Sequence, residues 1–176
     1  MAASVVLIGY RGSGKTTVGR LLAERLGRTF VDCDEVIVRR RGKSIREIFA
    51  AGGEEAFRKL ETNVIAELAA GADHVIAVGG GAVLREENRR AMARHVVVYL
   101  RCDPSVLLRR IQGDPATSDN RPNLTDLGGG IEEIEGLLSR REPIYRAVKH
   151  LELDVTNLSP DQAAEEIERM ISGLKR

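Results

Sequence analysis

Eight residues near the start of the chain have types and spacing that could do chemistry together. Gly9-Tyr10-Arg11-Gly12-Ser13-Gly14-Lys15-Thr16 matches G-x-x-x-x-G-K-[ST], a loop whose backbone N–H groups wrap a polyphosphate. The apolar run Val5-Val6-Leu7-Ile8 precedes it and reads as a buried strand. A helical pattern follows, with Val18, Leu21, Leu22 and Leu26 on one face and Gly27 as a stop. Strand, loop and helix N-terminus aim N–H donors and a helix dipole at one point. In that frame Gly12, Ser13, Gly14, Lys15, Thr16 and Thr17 form the phosphate site. Lys15 reaches the outer phosphates and the Thr16 hydroxyl takes a place on Mg²⁺. A dinucleotide fingerprint is excluded, because Thr17 stands where a third Gly or Ala is required. The expected ligand is a nucleoside triphosphate with Mg²⁺.

Further candidates lie downstream. Asp32-Cys33-Asp34 follows the second strand-like stretch, at the sheet edge where open α/β folds bind ligands. One carboxylate there would organise Mg²⁺ or its water and the other would hold an acceptor hydroxyl; capping of the next helix is the plain alternative. Val75-Ile76-Ala77-Val78 runs into Gly79-Gly80-Gly81, with no carboxylate where many P-loop proteins carry a metal-holding Asp. Metal contacts on the protein then fall to Thr16 and Asp32. The triple glycine reads either as a tight turn or as backbone open to a small ligand. Arg58 is either a surface partner of Glu54 and Glu61 at helical spacing or a site residue, and Arg141 poses the same choice beside Arg140.

These residues need elements to hold them. Thr29-Phe30-Val31, Val75–Val78, Val96–Leu100 and Leu151–Val155 read as further strands. Ser44-x-x-Glu47 has the form of a capping box for a short helix through Phe49. Glu54 to Ala70 is helical with Gly71 as terminator, and Pro104 and Pro160 each open a helix as first-turn prolines. Apolar strands alternating with helices predict a parallel sheet covered on both faces, an α/β fold. Residues 113–130 are rich in Gly, Pro, Asp, Asn and Ser around Arg121-Pro122, and read as a mobile lid bringing one arginine to the transferred phosphate.

Composition narrows the function classes. The 176 residues fit a single domain spanning 1–176. Lys plus Arg number 27 against 26 Asp plus Glu, a net charge of +1, so no bulk field points to nucleic acid or a membrane surface. Aromatics are 3% with no Trp, which disfavours base-stacking platforms. No signal-like or membrane-spanning apolar run is present, and Cys33 and Cys102 lack metal or redox spacing. The cytoplasm is the expected address.

The loop at Gly9–Thr16, Asp32-x-Asp34, Phe57-Arg58, Gly79-Gly80-Gly81, Arg121-Pro122 and Arg141-x-Pro143-x-Tyr145 occur in an order and spacing that resembles the shikimate kinases, from about Val5 to Pro160. The resemblance implies a three-layer P-loop kinase fold with a five-stranded parallel sheet ordered 2-3-1-4-5 and a mobile lid. It implies phosphoryl transfer from ATP to the 3-hydroxyl of shikimate, in aromatic amino-acid biosynthesis, by a monomer. It assigns the substrate carboxylate to Arg58 and Arg141, the hydroxyls to Asp34, and a backbone contact to Gly80. Lys15, Asp32, Asp34 and Arg121 take the catalytic roles, with Asp32 near the metal and the attacking hydroxyl, and Arg110 lies against adenine. Two departures stand out: Gly113 to Asn120 is longer than in many relatives, and Leu158 replaces an arginine that some carry after Thr156-Asn157. A gluconate kinase of the same fold, or a nucleotide-dependent regulatory protein built on it, are the competing expectations. A guanine switch is disfavoured for want of an Asn/Thr-Lys-x-Asp motif.

Overall fold

The computed structural model describes residues 3–114 and 130–174. Its frame is one sheet of five parallel strands, β1 (Val5–Ile8), β2 (Thr29–Asp32), β3 (His74–Ala77), β4 (Val96–Arg101) and β5 (Leu151–Asp154), in the order β2-β3-β1-β4-β5. Val5 pairs with Val75 on one side and Val96 on the other, so β1 is central. None of its four residues is more than 1% exposed, which requires cover on both faces of the sheet.

The helices are α1 (Lys15–Leu26), α2 (Cys33–Arg41), α3 (Ile45–Ala70), α4 (Glu86–Met92), α5 (Pro104–Gln112), α6 (Ile131–Val148) and α7 (Pro160–Leu174), with a 3₁₀ turn at Ala82–Leu84. Helix α1 packs on β1–β3 and on α7, and α6 lies against β4 and the 3₁₀ turn. The predicted boundaries hold where a cap chemistry was visible. Gly27 closes α1, Ser44 and Glu47 form a reciprocal capping box, and Pro104 begins α5 behind the Asp103 cap. The two helical stretches expected at Ser44–Phe49 and Glu54–Ala70 follow each other without a loop as α3 and are separated by a break at Gly53, whose φ 72° and ψ −178° are non-helical.

Strand order decides where the site lies. From β1 the chain passes to β2 at one edge and returns inward as β3 beside β1, then crosses to β4 and β5 on the other side. The carboxyl ends of β1 and β4 therefore flank the crevice where connections diverge, the natural ligand site of an open parallel sheet. The glycine loop leaves β1 at that point, and Asp32 and Val78-Gly79 emerge from neighbouring strand ends at the same edge.

Candidate active site

The loop between β1 and α1 takes a path that a side chain would obstruct. Gly9 has φ +146°, and a Cβ there would stand 2.7 Å from the Leu100 carbonyl oxygen. The Lys15 ammonium arches back over the loop and donates to the carbonyls of Gly9 at 2.8 Å and Tyr10 at 2.9 Å. Thr16 and Thr17 open the first turn of α1, and their side chains are exposed to the crevice. A cavity of about 760 Å³ lies over the loop, lined by Gly12, Gly14, Lys15, Thr16, Thr17 and Arg110 among others, a size that holds a nucleotide. Arg110 forms part of its wall. Its guanidinium donates to the Val155 carbonyl at 3.1 Å and approaches the Gly12 carbonyl at 3.5 Å. Leu158 packs against the hydrophobic core.

Asp32 caps a helix and also reaches the phosphate loop. One carboxylate oxygen accepts from the Asp34 backbone N–H at 2.9 Å and caps α2, while the other accepts from the Thr16 hydroxyl at 2.7 Å. Helix α2 starts immediately after Asp32 and places Asp34 on the cavity wall. The donor set fits Mg²⁺: two hard oxygen ligands on the protein, with phosphate oxygens and waters to fill an octahedron. Among the described residues no cluster of three or more His, Cys, Asp or Glu competes for a metal. Between the two aspartates Cys33 is fully buried, and burial pushes its thiol well above the usual range, so it is inert.

A second, smaller cavity adjoins the first. It is lined by Arg11, Asp34, Ile45, Phe49, Phe57, Arg58, Glu61, Gly79, Gly80, Gly81 and Arg141. Arg11, Asp34 and Ile45 line both cavities and mark their junction. Arg58 is 7% exposed and keeps both helical partners: Nη1 donates to Glu61 at 2.7 Å, while Nε and Nη2 reach Glu54 at 3.2 and 3.1 Å. The pairing expected of a surface arginine thus operates inside the site. Arg141 is buried and lines this cavity, whereas Arg140 is exposed. Phe49 and Phe57, with centroids 4.9 Å apart, supply an apolar wall.

The triple glycine makes a turn and lines this cavity, and none of the three has positive φ. Charged side chains crowd two of them: a Cβ on Gly79 would stand 2.3 Å from Glu61 Oε1, and one on Gly81 2.3 Å from Arg58 Nη2. Tyr145 donates its hydroxyl to the Gly80 carbonyl at 2.5 Å. Burial pushes this phenol up to about 12, against the pull of Arg141, so it remains a donor.

Glu61 and Arg11 were not expected at the site. Glu61 is fully buried, and burial pushes its carboxyl above the usual carboxylate range against the opposing charge of Arg58. Its signal was the i, i+3 spacing from Arg58, which does not distinguish a buried pair from a surface one. Arg11 occupies an unrestricted position of the loop pattern and carried no signal. Arg121 lies outside the described residues, as does most of the expected lid at 113–130.

Comparison with known proteins agrees with this geometry. Residues 11–172 match the sequence profile of the family described as shikimate kinase. The shikimate kinase of Rhodopirellula baltica is 43% identical over 162 residues, covering 92% of this chain and 86% of its own. That of Thermobifida fusca is 46% identical over 160 residues, covering 91% and 90%. The shikimate kinase of Acinetobacter baumannii, solved in complex with shikimate, superposes with a TM-score of 0.92 at 37% identity, over 99% of this chain and 96% of its own. On the profile match and on identities of this size across nearly the whole length, the chain belongs to the shikimate kinase family.

Proposed function

We propose that the protein transfers the γ-phosphoryl group of ATP to the 3-hydroxyl of shikimate, giving ADP and shikimate 3-phosphate on the route to chorismate and the aromatic amino acids. The observation that carries this reading is the junction of two cavities. A phosphate loop with its metal-side pair Thr16–Asp32 opens, across Arg11 and Asp34, onto a small pocket holding Arg58 and Arg141. A ring acid with one carboxylate and several hydroxyls suits that pocket: guanidiniums take the carboxylate by paired charge-assisted bonds, a carboxylate takes hydroxyls, and Phe49 and Phe57 meet the ring carbons.

The residues divide the work. Lys15 exchanges its loop carbonyls for phosphate oxygens, and the loop N–H groups hold the polyphosphate. Thr16, oriented by Asp32, and Asp32 itself hold Mg²⁺, which when bound supplies charge neutralisation between phosphates. Asp34 orients the attacking hydroxyl at the junction, with Arg58, Arg141 and the Gly80 backbone fixing the far end of the ring. Arg110, on the cavity wall, would lie along the base side, and Arg121, outside the described residues, would neutralise charge on the transferred group. Phosphoryl transfer asks mainly for in-line positioning and charge neutralisation, both of which this set provides.

We infer a single domain acting as a monomer in the cytoplasm. The single five-stranded sheet supports the first. The free buried thiols Cys33 and Cys102 suit a reducing compartment, and no helix of the described residues is long and apolar enough to cross a membrane. The test is ADP release by purified protein with Mg²⁺ and ATP against shikimate, quinate and gluconate in parallel. Shikimate is expected to give the highest kcat/KM; turnover of gluconate without turnover of shikimate would overturn the proposal.

A further inference from the structure

Tyr145 stands one helical turn after Arg141 on α6, so the two side chains leave the same face. Its ring is fully buried and stacked on Tyr99, with centroids 4.9 Å apart at 25°. A phenol has one proton and two lone pairs, and here the proton goes to the Gly80 carbonyl at 2.5 Å. The Arg141 guanidinium is near enough to this phenol to act on it electrostatically, and it also lies 5.9 Å from the centre of the Tyr10 ring in the phosphate loop. Gly80 in turn presses on that loop: a Cβ there would come within 3.2 Å of the Gly9 carbonyl oxygen and 3.5 Å of the Arg11 nitrogen. One hydroxyl therefore sits where the glycine turn, the arginine on α6 and the phosphate loop meet.

We propose that Tyr145 is a positioning residue for the acceptor: its hydroxyl holds the Gly80 peptide and the Arg141 guanidinium in one fixed arrangement against the phosphate loop. It thereby sets where the acceptor's carboxylate and ring stand relative to the phosphoryl group. Fixing the Gly80 carbonyl also fixes the N–H of Gly81, because the two point in opposite directions across one trans peptide. The inference rests on the acceptor roles of Arg141 and Gly80 proposed above. It separates Tyr145 from the rest of the core, where an aromatic ring contributes burial and no hydroxyl is needed.

Tyr145→Phe removes the hydroxyl and keeps the ring stack on Tyr99, so a cooperative melt is expected. The KM for shikimate should rise roughly 3- to 10-fold, the loss of one good hydrogen bond, while the KM for ATP stays within about twofold. In an Arg141→Ala background the same change should add less than it does in the native protein, because the group it positions is gone. Loss of a cooperative melt, equal effects on both KM values, or no change in either would overturn the proposal, since Tyr145 would then serve stability alone. Full multiplication of the two effects would also overturn it. An Arg141→Ala protein with an unchanged shikimate KM would instead remove the acceptor reading itself, and this inference with it.

Discussion

The two carboxylates on Arg58 should act in opposite directions. Glu61 is fully buried and holds Nη1 at 2.7 Å, whereas the Glu54 side chain is 59% exposed and occupies Nε and Nη2 at 3.2 and 3.1 Å. On the proposed function the substrate carboxylate would reach the guanidinium through the edge that Glu54 covers, and the largely exposed Glu54 can leave for water. A largely exposed pair of this kind is worth about 0.5–1 kcal/mol. Glu54→Gln removes the competitor, so the shikimate KM should fall about two- to fivefold with the ATP KM unchanged. Glu61→Gln leaves a buried guanidinium without its main counter-charge, a change in the class that costs about 3–5 kcal/mol, less here because Glu54 remains. About 2–3 kcal/mol corresponds to a Tm drop of roughly 4–12 °C for a chain of this size, and the shikimate KM should rise. Initial rates at saturating ATP over a shikimate series, with melting curves for each variant, measure both. A higher shikimate KM in Glu54→Gln would show that Glu54 holds Arg58 in the productive position, and the competition argument would be refuted.

Three further outcomes follow from particular contacts. Gly81→Ala places a Cβ 2.3 Å from Arg58 Nη2, so the guanidinium must move by about 1 Å; kcat/KM for shikimate is expected to drop by about 10- to 100-fold with a small change in Tm, and a normal kcat/KM would exclude Arg58 from the acceptor. Asp32→Asn keeps a competent helix cap but loses charge beside Thr16, so Tm should hold while kcat/KM for MgATP falls about 10- to 100-fold; an unaltered response to Mg²⁺ concentration would take Asp32 out of the metal site. The Ser105 hydroxyl and backbone N–H hold the Asp103 carboxyl below the usual range. Its stabilisation of α5 is therefore present above the ordinary aspartate value and lost as pH falls through the lowered one. The Tm difference between the native protein and Asp103→Asn should change over that acid range and stay constant above it, and parallel Tm curves throughout would contradict this sign.

Local chemistry explains which elements were legible. The phosphate loop, the Ser44–Glu47 box, the first-turn Pro104 and the terminator Gly27 are encoded by neighbouring residues, and each occupies its expected place. Helix α6 was not legible, because Gly136 and Pro143 lie inside it and both disfavour a helix. Burial of Ile134, Leu138 and Tyr145 on one face outweighs that cost, and that burial exists only once the sheet has formed. Helix α2 was signalled only by the capping alternative for the aspartates: it begins directly at the end of β2, with no loop residues to mark it.

The sequence by itself determined the chemistry: a phosphate loop after a strand, two aspartates one residue apart, two arginines, and their order along the chain. Those signals are short-range, so they survive without a fold. Tertiary structure decided what lies beside what. It brought Asp32 to Thr16 from sixteen residues away, buried Glu61 under Arg58, and made Arg11 the wall shared by two cavities. It also gave Gly79 and Gly81 a reason in the bulk of Glu61 and Arg58, and Gly80 one in the backbone of the phosphate loop, with no positive φ at any of the three. Such facts depend on packing between elements distant in sequence, and no spacing rule carries them. The donor and acceptor pockets are each foreshadowed by motifs, but their meeting at Arg11 and Asp34 exists only in the folded sheet.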